Sequence, residues 1–276
     1  LITSILNYFL SEKIISSSLL AYLLEFPSKN ALENLYNVSD PIDVYNARRN
    51  LIKKIALSLQ NIFEKTVSRL INDDIKRSDQ MGKRLLLGKI LNYLVLIDSK
   101  IGIQLAENIS VSDNMTLSSI GLKSLCQGNI KNSIKHLNNF YLKWEGNSLV
   151  LEKWFEMMST LNVEGEGVNF IKKLLSHQAF DYKNPNKLRS VLGSFQRENI
   201  LLFHANDSSG YNFVSDQIIL IDFKNPQAAA RLILPLTRFN NYSELRKEKM
   251  KQALHKIYKK NNLSSDLSEI IDKALK

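Results

Sequence analysis

Four histidines, His136, His177, His204 and His255, and one cysteine, Cys126, are the side chains of this 276-residue chain best suited to ligate a transition metal. Helical zinc ligation sets two imidazoles one turn apart, as in H-E-x-x-H, whereas the nearest two here are 27 residues apart. The spacing supports no metal site, and a lone thiol builds no internal disulfide framework. No G-x-x-x-x-G-K-[ST] or G-x-G-x-x-G run occurs, so no phosphate cradle is indicated. His204, Asp207 and Ser209 crowd one loop, Phe203-His-Ala-Asn-Asp-Ser-Ser-Gly-Tyr-Asn-Phe213. Nucleophilic triads are assembled by geometry rather than by adjacency in one loop. The expectation is therefore a capped turn, with Asp207 or Ser209 bonding nearby backbone and Gly210 taking an unusual φ. No catalytic residue is assigned.

Two helix starts say more. Asn184-Pro185 and Asn225-Pro226 each place Asn at the N-cap and Pro at the first helical position. Arg189 and Arg231 follow within two turns, near the positive helix end, where the macrodipole does not favour a cation. Each needs an anionic partner or a cavity to face. Gln227 and Arg231 are four residues apart and share a helix face. Two readings stand at this point: a polar wall aimed at a peptide backbone or carboxylate, and internal salt bridges to residues such as Glu156 or Asp181.

Long helices must position these residues. Ten glycines and five prolines punctuate the chain, and no proline falls between Pro41 and Pro185. A β-sandwich would need a turn signal every ~8–12 residues. A 3.6-residue periodicity recurs almost throughout, as in Leu267, Ile270, Ile271, Ala274 and Leu275, with Asp266 and Glu269 spaced like a capping box before them. The stretch from Asp40-Pro41 to about Ile71 reads as one or two long helices. Others are expected near 3–11, 14–25, 80–97, 99–108, 116–127, 130–144, 148–160, 165–175, 185–195, 211–222, 226–234, 242–259 and 265–275. Only 200–203 has strand character, and 217–222 is ambiguous. Tyr141, Trp144, Trp154 and Phe155 are expected to fill seams between helices. Short loops make successive helices antiparallel, and no strict repeat period is evident. The expected fold is all-α: an irregular superhelix, an α-solenoid of ARM/HEAT-like kind made of stacked antiparallel helix pairs, with 1–276 as a single domain.

Lysine and arginine number 37 against 27 acids, a net charge of +10. Half of the excess lies between Tyr242 and Lys260, where seven bases face two acids beside an apolar stripe of Leu245, Met250, Ala253, Leu254 and Ile257. Those bases read as a solvated helix face rather than a nucleic-acid surface. Aromatics, 9% of the chain, do not alternate with bases as a stacking platform for single strands would require. No uninterrupted apolar run approaches the ~18 residues of a membrane span, and the apolar start lacks the basic region and cleavage site of a signal peptide. The expected setting is a reducing cytoplasm, with neither membrane nor nucleic acid as partner. The first residue, Leu1, is not Met, which is expected of a piece of a longer polypeptide.

Three motifs carry a family resemblance: His177-Gln-Ala-Phe-Asp-Tyr-Lys-Asn-Pro-Asn-Lys-Leu-Arg-Ser-Val-Leu-Gly-Ser-Phe195, Phe203-His-Ala-Asn-Asp-Ser-Ser-Gly-Tyr211 and Asn225-Pro-Gln-Ala-Ala-Ala-Arg231. In this order they resemble the C-terminal helical domain of bacterial aminopeptidase N, the zinc-dependent alanyl aminopeptidase of the gluzincin class. Asp40-Pro41, Asn114-Met-Thr116, Lys143-Trp144 and Leu151-Glu-Lys-Trp-Phe155 extend the resemblance over essentially the whole chain. Ser208 stands where that family usually has Gly, and Val191-Leu192 replaces a Leu-Ile pair. The family's H-E-x-x-H with its distal Glu, its G-A-M-E-N loop and its transition-state tyrosine belong to a catalytic domain that this sequence does not contain.

The resemblance implies a non-catalytic superhelical cap that closes over the zinc site of a catalytic domain in the same polypeptide and leaves a channel for short peptides. It also implies that Arg189, Gln227 and Arg231 face that chamber. Zinc would belong to the catalytic domain, so this chain is expected to carry no cofactor and to be no enzyme by itself. The rival reading is a free-standing α-solenoid adaptor that binds protein or nucleic acid. Metal analysis of the purified chain is expected to find no stoichiometric zinc, and alanyl amides are expected not to turn over. One tightly held zinc per chain would overturn this reading.

Overall fold

Side-chain caps mark where the helices begin. In the computed structural model, which describes residues 1–12, 14–72 and 74–276, Asn114 Oδ1 accepts from the N–H groups of Thr116 and Leu117, both at 3.1 Å. Asp40 Oδ1 does the same for Ile42 at 2.8 Å, and Ser99 Oγ for Gly102 at 3.1 Å. Each such bond satisfies one of the four N–H groups that a helix start leaves without a partner. In chain order the first helices are α1 (Ile2–Glu12), α2 (Ser17–Leu23), α3 (Lys29–Glu33), α4 (Pro41–Asn72), α5 (Met81–Leu96), α6 (Lys100–Ser110), α7 (Met115–Gly128) and α8 (Ser133–Trp144). They continue as α9 (Ser148–Thr160), α10 (Val168–Leu175), α11 (Pro185–Leu188), α12 (Ser194–Glu198), α13 (Ile200–Phe203), α14 (Ser209–Asp222), α15 (Pro226–Leu232), α16 (Leu234–Thr237), α17 (Glu244–Tyr258) and α18 (Ser265–Leu275). Among the described residues the β-structure is one isolated bridge, between Ser39 and Tyr242.

These helices gather into two compact units, one of residues 1–28 and 47–145 and the other of residues 29–46 and 146–276. In the first, α5 is the central helix. Leu86, Leu87, Ile90, Leu91, Tyr93, Leu94 and Val95 are all buried, so it is apolar on every side, the pattern of a helix surrounded by others. Phe63 of α4 packs its ring 5.2 Å from that of Tyr93. The Tyr93 hydroxyl, whose pKa burial pushes up to about 12, donates to the Leu24 carbonyl at 2.8 Å. Short loops return the chain from α5 to α6 and from α6 to α7, and these three helices pack on one another. Gly121 lets α7 approach α6: a Cβ there would collide with the Ala106 carbonyl oxygen and lie 2.8 Å from the Ser110 nitrogen, both backbone atoms.

In the second unit, Trp154 and Phe155 of α9 are buried against His177 and Phe180, with the Trp154–His177 and Phe155–Phe180 ring centroids 5.0 and 5.7 Å apart. Asn199 Nδ2 donates to the carbonyls of Ser159 and Leu161 at 3.2 and 2.9 Å and so closes the end of α9. Ser215 Oγ of α14 donates to the Ala253 carbonyl of α17 at 3.1 Å. Asp222 receives both the backbone N–H and the hydroxyl of Ser264, at 2.8 and 2.5 Å, ahead of α18.

The all-helical expectation holds, with local corrections. The strand-like stretch 200–203 is the helical turn α13, because Ile200 and Phe203 are buried three residues apart while Leu201 is exposed. The ambiguous stretch 217–222 continues α14, which buries Val214, Gln217, Ile218 and Ile221 at helical spacing. The capping box at Asp266 and Glu269 does not form: Ser264 caps α18, and Glu269 pairs with Lys273 at 2.6 Å instead. Helix α3 lies outside every stretch expected to be helical. Gly121→Ala is expected to lower stability by about 1–3 kcal/mol, read as an earlier midpoint in urea, because backbone cannot yield as a side-chain tip can. An unchanged midpoint would refute the close approach.

Candidate functional site

The helical run from Pro185 to Glu198 is not uniform. Asn184 Oδ1 caps it, accepting from Asn186 and Lys187 at 2.9 and 3.3 Å, but Arg189–Gly193 winds as a π-helix. Such turns are rare, insert an extra residue into the helical register and cluster at functional sites. A Cβ on Gly193 would lie 3.3 Å from Arg197 Nη1 and 3.4 Å from Arg189 Cγ. Both arginine side chains therefore fold over the same glycine. Opposite them, Asn225 Oδ1 caps α15 through the Ala228 N–H at 3.1 Å, and Gln196 Nε2 donates to the Leu232 carbonyl at 2.9 Å.

Between these elements lies a cavity of about 550 Å³. Arg189, Gln227 and Arg231, the three residues singled out in the sequence, all line it. Lys29, Arg197 and Arg238 line it too, as do His204 and Tyr242, which are buried. No aspartate or glutamate is among the lining residues. The guanidinium groups have neutral partners: Arg189 bonds Asn186 Oδ1, Arg197 bonds Ser194 Oγ and Arg238 bonds Asn34 Oδ1, each at 3.3 Å. Arg197 also comes within 4.0 Å of Glu198. Among the described residues Arg231 has no hydrogen-bond or ion-pair partner, and neither it nor Arg189 forms the salt bridge to Glu156 or Asp181 that the sequence left open. Lys29 differs, since Glu33, almost fully buried, holds it at 3.1 Å.

A buried hydrogen-bonded chain lies behind His204. Arg246 of α17 donates from Nε to Asp40 Oδ2 at 2.9 Å and from Nη1 to the His204 carbonyl at 2.7 Å and the Tyr211 hydroxyl at 3.1 Å. Tyr211 Oη lies 2.7 Å from His204 Nδ1. A guanidinium can only donate, so the tyrosine oxygen accepts from Arg246, and the imidazole tautomer decides which of Tyr211 Oη and Nδ1 donates in the contact between them. Burial and the positive charges of Lys29 and Arg246 hold the His204 pKa well below its ordinary value. Burial also works against the charge of Arg246, but hydrogen bonds to Tyr211 and Asp40 outweigh it and raise its pKa. Tyr211 is pushed up to about 12, chiefly by burial. Arg246 is therefore a correction to the sequence reading, which put the bases of this helix in solvent: it is only 6% exposed.

The loop before α14 forms the expected capped turn but not the expected φ. Asp207 Oδ1 accepts from the Ser209 N–H at 2.9 Å, and the residue at positive φ, +64°, is Ser208 rather than Gly210. Gly210 is needed for space instead, because a Cβ there would collide with the carbonyl oxygens of Leu202 and Phe203. His204 Nδ1 is taken by Tyr211, so His204, Asp207 and Ser209 form no catalytic relay. No group of three or more His, Cys, Asp or Glu among the described residues could hold a metal ion. Cys126 is buried, which pushes its thiol up to about 12. No helix among the described residues is long and apolar enough to cross a membrane.

Fold and site together define a helical domain that presents a cationic pocket. The family model described as "Domain of unknown function (DUF3458_C) ARM repeats" matches residues 2–276, and the chain belongs to that family. It is 32% identical to aminopeptidase N of Escherichia coli (strain K12), over 96% of this chain and 31% of that protein. Identity to aminopeptidase N of Haemophilus influenzae is also 32%, over 99% of this chain and 31% of the relative. Among solved structures, Legionella pneumophila aminopeptidase A in complex with aspartic acid superposes with a TM-score of 0.85 at 27% identity, over 99% of this chain and 33% of that one. The chain thus spans about a third of the length of these relatives, is homologous to the C-terminal part of aminopeptidase N, and bears out the resemblance carried by 177–195, 203–211 and 225–231.

Sequence reasoning missed Arg197, Arg238, Lys29 and His204 as pocket residues. The i, i+4, i+8 spacing of Arg189, Gly193 and Arg197 was the available signal; Arg238, beyond Pro235, gave none. His204 supplies a test of the buried chain. Its depressed pKa means that the unfolded state takes up the proton first as pH falls below about 6.5, so its contribution is complete above that pH and is lost below it. Stability is expected to fall by up to about 1.4 kcal/mol per pH unit from this group, and His204→Gln is expected to flatten the urea midpoint against pH between 7 and 5 by that share. Equal slopes in both proteins would refute it.

Proposed function

We propose that this chain is the non-catalytic, C-terminal helical cap of a zinc aminopeptidase that releases N-terminal residues from peptides. In this reading the whole chain serves as one domain beside a catalytic domain of the same polypeptide, encloses its chamber and shapes access to it. Homology to the C-terminal part of aminopeptidase N supports the assignment. The observation that carries it to the site is a pocket lined by Arg189, Gln227 and Arg231 with no acidic side chain. In this reading the metal and the bond cleavage belong to the catalytic domain, and no group of three or more His, Cys, Asp or Glu among the described residues could hold the ion here. A reducing cytoplasm suits the single buried thiol.

The pocket's part is to bind and orient. A guanidinium presents a planar fork of donors that engages both oxygens of a carboxylate, and Arg231, which has no partner among the described residues, has that fork available. Gln227, one turn before it on the same helix face, offers both a donor and an acceptor to peptide backbone. A short peptide whose free carboxylate reaches these arginines is held with its amino end toward the catalytic domain. A single-residue amide, which has no distal carboxylate, gains nothing from them.

In the full-length polypeptide Arg231→Ala is expected to lower kcat/KM for tri- and tetrapeptides by roughly five- to thirtyfold, the loss of one solvent-accessible charge-assisted contact. Turnover of a chromogenic alanyl amide is expected to change much less. Equal losses on both substrates would mean that Arg231 has a structural role instead.

A further inference from the structure

The pocket holds more positive charge than one peptide carboxylate can use. Arg189 and Arg197 come from the helical run that contains the π-turn, and Arg231 and Arg238 come from α15 and the 3-10 turn Arg238–Asn241. Three of the four are held by an amide or hydroxyl oxygen, which fixes a guanidinium without neutralising it, and Arg197 also meets the exposed Glu198 carboxylate at 4.0 Å, a weak and solvent-screened pair. Four like charges around about 550 Å³ repel one another, and no lining carboxylate relieves them. The backbone is also shaped to keep two of them together, since the π-turn and the bare Cα of Gly193 let Arg189 and Arg197 lie over one another's turn. An ordinary α-helical turn with a side chain at 193 would press on both. Behind them His204 is buried and its charged form is disfavoured, so it adds no fifth positive charge to the pocket.

A ligand with two carboxylates a few bonds apart, as in a C-terminal glutamate, meets this arrangement as a ligand with one does not. Each carboxylate can take a bidentate guanidinium, with further arginines remaining to offset the repulsion. Resting on the proposed function above, we propose that the pocket selects peptides whose C-terminal residue is itself acidic, binding its side-chain and main-chain carboxylates together. Glutamine in place of glutamate keeps the shape and removes one charge. It therefore isolates the selectivity from the binding of the terminal carboxylate that every peptide carries. The size of the cavity is within the range of small-ligand pockets, ample for a terminal residue.

The test compares kcat/KM for Ala-Ala-Ala-Glu and Ala-Ala-Ala-Gln in the full-length polypeptide, using their ratio so that any loss of folded enzyme cancels. At low ionic strength the ratio is expected to favour the glutamate peptide by about tenfold, and it should shrink as salt screens the partly exposed arginines. Arg197→Ala and Arg238→Ala are each expected to cut the ratio about threefold or more, and Arg197→Lys to restore part of it. A ratio near one in the unaltered protein, or a ratio that neither variant moves, overturns the selectivity. If Arg231→Ala still weakens both peptides in that case, the carboxylate reading survives alone. If it weakens neither, both readings fall.

Discussion

Arg246 sits in α17 almost without solvent, and the arrangement of the second unit depends on keeping its charge satisfied. Asp40 supplies the counter-charge from 206 residues away, with its Oδ2 2.9 Å from both Nε and Nη2. The other Asp40 oxygen caps α4, so one carboxylate starts a helix and neutralises a buried cation at once. The two Nη1 donors go to the His204 carbonyl and the Tyr211 hydroxyl. Removing one partner of such a pair leaves an uncompensated buried charge, which costs about 3–5 kcal/mol, far more than a surface ion pair is worth. The pair thereby fixes where α14, α17 and the segment before α4 meet.

That constraint reaches the pocket through His204. Arg246 donates to the Tyr211 oxygen, which lies 2.7 Å from His204 Nδ1, so guanidinium, phenol and imidazole are held as one buried hydrogen-bonded chain. Neutral and buried, His204 leaves the arginines as the source of positive potential together with Lys29, whose charge Glu33 offsets. The pocket is thus cationic by the placement of a few side chains and not by the net charge of the chain. Most of the bases between Tyr242 and Lys260, which dominate the charge in sequence, pair with other carboxylates or face solvent: Lys247 meets Glu244 and Lys251 meets Glu248 within α17, and Lys256 meets Asp216 of α14.

In the proposed role the domain contributes geometry rather than bond-making chemistry. Its helices hold guanidinium groups on rigid elements, with the π-turn and Gly193 setting two of them and the Asn225-Pro226 start setting Gln227 and Arg231. Preorganised donors of this sort recognise an anion without having to be ordered on binding, which is where a flexible surface loses affinity. The family match and the homology to the C-terminal part of aminopeptidase N place the chain among domains of larger enzymes, so the pocket's meaning lies in what the adjoining polypeptide brings to it.

What the sequence determined by itself was local. Asn114, Asn184 and Asn225 cap helices as their spacing requires, the 32-residue α4 runs unbroken after Pro41, and apolar periodicity marks the buried faces. All of these depend on interactions within about four residues, so a linear pattern records them. Arg189, Gln227 and Arg231 were legible from the two Asn-Pro helix starts, although these helices are so short that Arg231 falls in the last turn of α15 and Arg189 at the end of α11, where a cation is not disfavoured. Tertiary structure alone decided that Arg197 and Arg238 join them, that Arg246 is buried and that 200–203 is helical. Those outcomes turn on partners tens to hundreds of residues away, Asp40 for Arg246 and Asn34 for Arg238, and no local spacing encodes a partner that distant. The π-turn at Arg189–Gly193 is the clearest case, because the i, i+4, i+8 spacing of Arg189, Gly193 and Arg197 reads as one ordinary α-helical face and gives no sign of the extra residue in the register.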